Sequence, residues 1–168
     1  MRDRARDKGR LEDIVEYSSN VIKFMEGYSL EALIADKRTY YSVMKNIEVV
    51  GEAAYMLTNA FKKSHPEIPW KIVQGMRHVL VHDYANVVSA TLYDTAVNDI
   101  PILLNQVKQY LAETNWEEWQ NGPNDYEDTL DVAHQTSIDH ARRMKAKGFA
   151  ISDISEITGL APEDIEKL

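Results

Sequence analysis

Apolar side chains at helical spacing constrain this chain more than any other feature of its sequence. Leu11, Ile14, Val15 and Met25 occupy positions that fall on one face of an α-helix. Within the first 113 residues, no useful length alternates apolar and polar side chains with the period of two that marks a strand. The sequence therefore predicts an all-α fold, an antiparallel helical bundle.

Helix boundaries in this bundle are marked by capping residues and prolines. A first helix runs from Leu11 to Glu26 and ends before Gly27, and a short second helix follows Ser29. Asp36 is suited to cap a longer third helix, because its carboxylate can accept from free N–H groups of the first turn. The apolar seam of that third helix extends to Phe61.

Two prolines separate this third helix from the next one. Pro66 and Pro69 have no backbone N–H and a fixed φ, so the third helix must stop before them, and a further helix begins near Trp70. A long helix opens at Ser89, in which Pro101 is expected to produce a kink rather than a break.

Three regions follow from composition: a bundle over residues 1–113, an acidic linker over 114–128 and a helical tail over 129–168. The linker contains Gly122 and Pro123, which typically interrupt regular structure, and two tryptophans that we expect to fold back onto the bundle or onto a partner. In the tail, Gly148 and Gly159 separate three short helical patterns. Its end is therefore expected to resemble a helix-turn-helix.

Composition excludes several classes of protein. The chain has no cysteine, which rules out disulfides and cysteine-bound zinc. No apolar stretch approaches the roughly 20 residues that span a bilayer, and the charged start at Met1–Arg10 is unlike a secretion signal. We therefore expect a cytoplasmic protein without a membrane partner.

The net charge of −8 is unevenly distributed. Residues 1–115 carry 14 Lys and Arg against 15 Asp and Glu, whereas residues 116–128 carry five acids and no base. Acidity is thus concentrated in the linker, and the bundle could still contain a local basic cleft for nucleic acid.

The segment 77–84 (RHVLVHDY) holds the residues with the clearest chemical potential. Arg77 is a fixed-charge fork suited to phosphate oxygens. His82 can exchange protons near neutral pH, and Tyr84 places a phenol two residues later. An arginine and a histidine together could cleave a phosphodiester without a metal or another cofactor.

The spacing of Arg77 and His82 sets a geometric condition. Five residues on a helix correspond to a rotation of about 140°, so an unbroken helix does not place both residues on one face. Either the helix ends near Val81, or the site is assembled from two chains. The second alternative predicts a symmetric homodimer.

The same residues also have purely structural interpretations, which are the more common ones for an isolated arginine and histidine. Arg77 could pair with an acid, His82 could cap a helix end and Tyr84 could be a half-buried core aromatic. His78 and His82 have the i,i+4 spacing of two metal ligands on a helix, but Val79 stands where the glutamate of H-E-x-x-H would be. We therefore expect no metal site.

The tail is a poor candidate for reading DNA. A basic cluster, Arg142 to Lys147, lies beside the helix-turn-helix pattern, but the last helix offers three acids and one base. Phosphates would repel that surface, so DNA binding through the tail is not expected and a protein-contact role is favoured.

The pattern R-x-x-x-x-H-x-Y at Arg77, His82 and Tyr84 resembles the signature of the HEPN-superfamily ribonucleases, and specifically of the HepT-like toxins. The resemblance covers about residues 10–113. It includes further blocks in the family's order, namely NIEVVGEAA at 46–54, PEIPW at 66–70, GMR at 75–77 and LVHDY at 80–84. One departure is His78, at a position where members often have asparagine.

The resemblance implies an all-helical homodimer that cleaves RNA in a cleft where two motifs meet, usually without a metal. Arg77 and His82 would be catalytic, and His78 and Asp83 auxiliary. The partner would be a minimal nucleotidyltransferase antitoxin that silences the toxin by adding AMP to Tyr84. The alternative is a catalytically inactive HEPN-like module that binds proteins. The identity of the RNA and the role of the tail are not fixed by the sequence.

Overall fold

The structure is a computed structural model, and it describes residues 2–82, 87–123 and 126–168, without the side chains of 77–82, 126–133 and 135. The described residues form two compact units. The first comprises residues 3–124, and the second comprises residues 125–168 together with Arg2. Every regular element in the described ranges is helical, which confirms the predicted all-α class.

Eight α-helices form the first unit as far as its described residues go. They are, in chain order, α1 (Asp7–Met25), α2 (Leu30–Ala35), α3 (Lys37–Met56), α4 (Asn59–Ser64), α5 (Trp70–His82), α6 (Ser89–Asp94), α7 (Ile100–Glu113) and α8 (Trp116–Gln120). A short 3₁₀ turn, Arg4–Arg6, precedes α1.

Local sequence signals set several of the helix ends. Gly27, at φ +75°, adopts the left-handed conformation that glycine tolerates best, just after α1. The hydroxyl of Ser29 accepts from the N–H of Ala32 at the start of α2. Asp36 caps α3 by accepting from the N–H groups of Arg38 and Thr39. These caps were predicted from the sequence.

The predicted third helix is interrupted before Phe61. α3 ends at Met56, and Thr58 caps the separate helix α4 by accepting from the N–H of Phe61 at 3.2 Å. The cause is a buried carboxylate from α1. Asp7 accepts from the backbone N–H of Thr58 at 2.9 Å and from its hydroxyl at 2.6 Å. These bonds hold Thr58 outside the helical conformation.

The helix that opens at Ser89 continues to Glu113 and absorbs Pro101 in a π-helical turn. α6 passes into five π-helical residues, Thr95–Asp99, which lead directly into α7 with Pro101 in its first turn. The N–H of Ile100 bonds to the carbonyl of Thr95, five residues back. Proline removes one donor and crowds the preceding turn, and a local π-bulge accommodates this without ending the helix.

The core of the first unit lies between α1, α3, α5 and α7. α1 packs against α3 and α7, and α3 also packs against α5. The side chains that fill this core are almost fully excluded from solvent; the largest are Phe61, Leu11, Ile14, Leu33, Ile47, Leu57, Ile68 and Ile100. None of the helices within the described ranges is long and apolar enough to cross a membrane.

The two tryptophans after α7 pack onto the bundle. Trp116 and Trp119 lie in α8 and contact the ring of Phe61, at centroid distances of 6.3 and 5.5 Å. The indole N–H of Trp119 donates to Asp7 at 3.1 Å, and the Arg4 guanidinium lies 4.3 Å from the Trp119 ring centroid. The region predicted as a linker therefore begins with a helix held by the bundle.

The second unit contains α9 (Tyr126–Ala146), α10 (Ile151–Thr158) and α11 (Pro162–Glu166). Its small core is apolar: Ala141, Ile154, Leu160 and Ile165. Lys145, which belongs to the basic cluster, donates its ammonium to the carbonyls of Ile165 at 3.0 Å and Glu166 at 2.8 Å. One of the basic residues therefore caps the C-terminal end of α11.

Replacing Asp7 with alanine is expected to destabilise the first unit by about 2–4 kcal/mol, because the N–H groups of Thr58 and Trp119 lose their buried acceptor. Burial raises the pKa of Asp7, against the opposing effect of its hydrogen bonds with Thr58. The measurement is urea unfolding followed by tryptophan fluorescence. All three tryptophans lie in this unit, so the signal reports on it alone.

Asp13→Ala is the matched control, since Asp13 lies exposed on the same helix. Surface substitutions usually change stability by within about 0.5 kcal/mol. Equal unfolding midpoints for the Asp7 and Asp13 variants would contradict a structural role for the buried carboxylate.

Candidate functional site

The N-terminal end of α5 is fixed by an aromatic cluster. Pro69 precedes the helix, and the indole N–H of Trp70 donates to the backbone carbonyl of His65 at 2.8 Å. The Trp70 ring meets the buried ring of Phe61 edge to face, with centroids 6.2 Å apart. Because aromatic contacts and a hydrogen bond hold the first residue of α5, the direction of the whole helix is set from this end.

Three of the candidate residues lie on α5. The backbone of Arg77, His78 and His82 is helical, and α5 extends to His82 as its last residue. The side chains of these three residues, and all of Asp83 and Tyr84, lie outside the described residues. The candidate catalytic residues are therefore placed along the chain and on one helix, and their mutual side-chain geometry is untested.

The backbone alone still limits what Arg77 and His82 can do within one chain. All residues between them are helical, so their Cα atoms are separated by a rotation of about 140° and by about 7.5 Å along the axis. α5 also packs along α3, which covers part of its surface. α5 ends at His82, one residue after Val81, which agrees with the alternative in which the helix ends near Val81, and assembly from two chains stays a prediction.

An apolar groove of about 350 Å³ runs beside the same helix. Ile72, Val73 and Met76 from α5 line one side of it, and Ile102 and Leu103 from α7 line the other. Both isoleucines are largely exposed, Ile72 at 70% and Ile102 at 61%. Large apolar side chains exposed together on one face indicate a contact surface rather than a solvated one.

Several ionisable groups in the described part of the first unit have shifted pKa values. Burial raises the pKa of Tyr110, and the nearby Glu67 carboxyl adds to that effect. Within the described ranges, no three histidine, aspartate or glutamate side chains gather closely enough to hold a metal ion.

One surface that the sequence reasoning overlooked lies on the first half of α3. Lys37, Tyr41 and Lys45 are spaced four residues apart and are all exposed. Residues at this spacing share one helix face. The buried apolar residues of α3 and these exposed charged and aromatic residues follow the same helical spacing. The exposed face is therefore also visible in the sequence.

Comparison with known proteins relates this chain to ribonucleases. The sequence pattern of the ribonuclease HepT-like family matches residues 14–110, more than half of the chain. That range begins within α1, ends within α7 and includes the whole of α5.

Curated relatives agree with this match. A probable ribonuclease HepT of Thermococcus cleftensis is 38% identical over 96 residues, which cover 57% of this chain and 87% of that protein. A putative RNase of Methanocaldococcus jannaschii is 31% identical over 101 residues, covering 60% and 93%. A putative RNase of Caldanaerobacter subterraneus is 33% identical over 103 residues, covering 61% and 92%.

The family match does not cover the whole chain. The family match stops at residue 110, so α8 and the second unit lie outside it. No solved structure matches the chain. The resemblance based on the motif and the four sequence blocks is nevertheless confirmed, and the chain belongs to the HepT-like ribonuclease family.

Proposed function

We propose that this protein is the toxin of a toxin–antitoxin system and that it cleaves RNA without a metal, in a cleft formed by two copies of α5. One observation supports this above the others. A chain of the HepT-like ribonuclease family carries Arg77 and His82 on a single, firmly anchored helix, and Tyr84 follows His82 by two residues in the sequence.

The proposed reaction is an internal transfer at phosphorus. A histidine removes the proton of the ribose 2′-OH, and the 2′-oxygen attacks the adjacent phosphorus. The bond from phosphorus to the 5′-oxygen breaks, and this oxygen takes a proton as it leaves. The products are a 2′,3′-cyclic phosphate and a 5′-hydroxyl. Because the 2′-OH is the nucleophile, the substrate is RNA rather than DNA.

Each residue has a defined part in this proposal. His82 acts as the general base at the 2′-OH or as the general acid at the 5′-oxygen. His78 is the candidate for the opposite proton transfer, from the same chain or from the partner copy. Arg77 holds the scissile phosphate and stabilises the extra negative charge of the pentavalent transition state. Asp83 is proposed as an auxiliary residue.

Two structural features favour assembly from two chains. The backbone is helical from Arg77 to His82, so these two positions lie about 140° apart around the axis of α5. The groove beside α5 exposes Ile72 and Ile102, which a second copy could cover. A symmetric dimer through this face would bring two copies of α5 together.

The second unit is proposed to contact protein rather than DNA. The exposed surface of its last helix carries Glu163, Asp164 and Glu166, and its neighbour Lys167 lies 3.5 Å from the Asp164 carboxylate. DNA phosphates would meet net negative charge there.

His82→Ala is expected to slow RNA cleavage by about 10²–10⁴-fold, because it removes a general acid or base. Arg77→Ala is expected to cost about 10²–10³-fold through lost transition-state stabilisation. The measurement is single-turnover cleavage of labelled RNA in EDTA, with His140→Ala as the matched control, since His140 is exposed in the second unit.

Wild-type cleavage that is abolished by EDTA would contradict the metal-free mechanism. Cleavage of an all-2′-deoxy strand as fast as RNA would exclude attack by the 2′-OH. If the wild type cleaves no RNA and does not arrest bacterial growth, the alternative of an inactive HEPN-like binding module is preferred.

Ile72→Glu is expected to raise the dissociation constant of the dimer at least about tenfold, because it places an unpaired charge in an apolar contact. Sedimentation velocity over a concentration series measures this. Ile157→Glu is the control, since Ile157 is similarly exposed, at 66%, but lies in the second unit. If both variants sediment as the wild type does, the groove is not the dimer contact.

Tyr84 is proposed as the site at which a nucleotidyltransferase antitoxin adds AMP. An adduct there would place a phosphodiester and a base two residues beyond His82 in the chain and, in the proposed cleft, would exclude an RNA backbone by charge and by volume. After co-expression with the nucleotidyltransferase, intact-mass measurement is expected to show one or more added AMP units on the wild type and none on Tyr84→Phe. Equal labelling of both proteins would place the modification elsewhere.

A further inference from the structure

The first two turns of α3 present cations around an exposed aromatic ring. Lys37, Arg38, Tyr41 and Lys45, here called the α3 strip, are all exposed. Lys37, Tyr41 and Lys45 follow one another at i,i+4 spacing, and Arg38 precedes Tyr41 by three residues, so the four side chains are neighbours on the helix surface. The side chain of Lys45 is 66% exposed and Tyr41 is 56% exposed.

The tyrosine of the strip is supported from below. Its ring meets the ring of Tyr40 edge to face, with centroids 5.6 Å apart and an interplanar angle of 84°. Tyr40 itself is only 7% exposed, and the Lys37 ammonium lies 5.2 Å from the centroid of its ring. Tyr41 therefore stands on a buried neighbour while much of its own ring is open to solvent, as a stacking platform requires.

The positive charge of the strip is only partly compensated. Lys45 pairs with Glu48 at 2.6 Å. Neither Lys37 nor Arg38 forms an ion pair within the ranges that the structure describes. These two cations are therefore available to phosphates.

Asp36 precedes the strip in the sequence, and its carboxylate forms hydrogen bonds that stabilise the fold. Its carboxylate accepts from the hydroxyls of Thr39 at 2.7 Å and Tyr28 at 2.8 Å, in addition to the N–H groups that it caps. The hydrogen bonds from Thr39 and Tyr28 lower the pKa of Asp36 to about 2. This carboxylate is thus turned to donors of its own helix end and of Tyr28.

The start of α3, which carries the strip, contacts the start of α6. The hydroxyl of Tyr40 is 3.2 Å from the hydroxyl of Ser89, the first residue of α6. Ser89 follows His82 by seven residues, a length of chain that spans at most about 25 Å. A single strand of a few nucleotides could therefore contact the strip and the motif at once.

We propose that the α3 strip binds single-stranded RNA next to the cleavage site, with a base stacked on Tyr41 and phosphates held by Lys37, Arg38 and Lys45. This inference rests on the proposed function, since it takes RNA as the substrate. An exposed aromatic ring among cations is the arrangement by which proteins hold single strands without reading their sequence. An isolated cation cluster would offer the phosphates charge but no surface for a base.

Binding is measured on a His82→Ala background, so that the RNA stays intact. The probe is a labelled single-stranded RNA of about 12 nucleotides, followed by fluorescence anisotropy over a series of salt concentrations. Three variants are compared: Tyr41→Ala, Tyr41→Phe and the double variant Lys37→Ala/Arg38→Ala. Lys23→Ala/Lys108→Ala is the matched control, because it removes the same charge from exposed positions on α1 and α7.

Tyr41→Ala is expected to weaken RNA binding by about 5- to 150-fold, the range found when a base loses an aromatic platform, and Tyr41→Phe is expected to retain it. The double variant Lys37→Ala/Arg38→Ala is expected to reduce the salt dependence, the slope of log K against log salt, by about 1.4. The control should change both quantities much less.

The inference is overturned if Tyr41→Ala and the double variant bind RNA as the parent does, or if the charge control weakens binding equally. It is also overturned if the parent binds no RNA.

A cleavage assay distinguishes failure of this inference from failure of the proposed function. In the otherwise wild-type chain, Tyr41→Ala should raise KM with little change in kcat. Normal cleavage with an unchanged KM would support the nuclease and refute RNA binding by the strip. RNA binding that the variants weaken, in a protein that does not cleave RNA, would support the strip and refute the nuclease.

Discussion

The ring of Phe61 is the contact on which the arrangement of the bundle depends. It is fully buried and meets side chains from four directions: His65 after α4, Trp70 at the start of α5, Tyr110 near the end of α7 and the tryptophans of α8. Aromatic rings bury a large area and prefer defined mutual angles. This cluster therefore fixes where α5 begins, and through the rigid helix it fixes where the motif lies.

A second constraint acts at the same end of the bundle. The carboxylate of Asp7 joins α1 to the start of α4 through Thr58 and to α8 through Trp119. Gly122 allows the chain to pass close to Arg4, because a Cβ at this position would come within 2.6 Å of the guanidinium. The residues after the family match are thus held to the bundle as far as Gly122, before the second unit begins.

Much of this fold was readable from local signals, and the misses have physical causes. Caps at Ser29 and Asp36 and the glycine stop at Gly27 act within a few residues, so the sequence places them directly. The break between α3 and α4 depends on Asp7, which is 51 residues from Thr58 in the chain. Periodicity continued through that break, because Leu57 and Phe61 are buried on both sides of it. Pro101 predicted a local distortion of the helix, but the sequence did not indicate that the distortion is a π-helical turn.

The candidate site was predictable in its composition and not in its assembly. The chemistry of Arg77 and His82 follows from residue type, and their family follows from the surrounding blocks. Whether they meet, within one chain or across the proposed dimer, depends on an assembly that the spacing within one sequence does not encode. The α3 strip was within reach, since its i,i+4 pattern is as regular as that of the core.

The proposed trans assembly is tested most directly by mixing two inactive variants. Arg77→Ala and His82→Ala chains are each expected to cleave RNA poorly alone. After denaturation, mixing and refolding, mixed dimers regain one arginine–histidine pair across the two chains. About a quarter of the wild-type sites are then restored in a statistical mixture. Recovery of activity to roughly that level is the predicted result. A mixture that forms dimers but stays as inactive as either variant would show that the two motifs do not share a site.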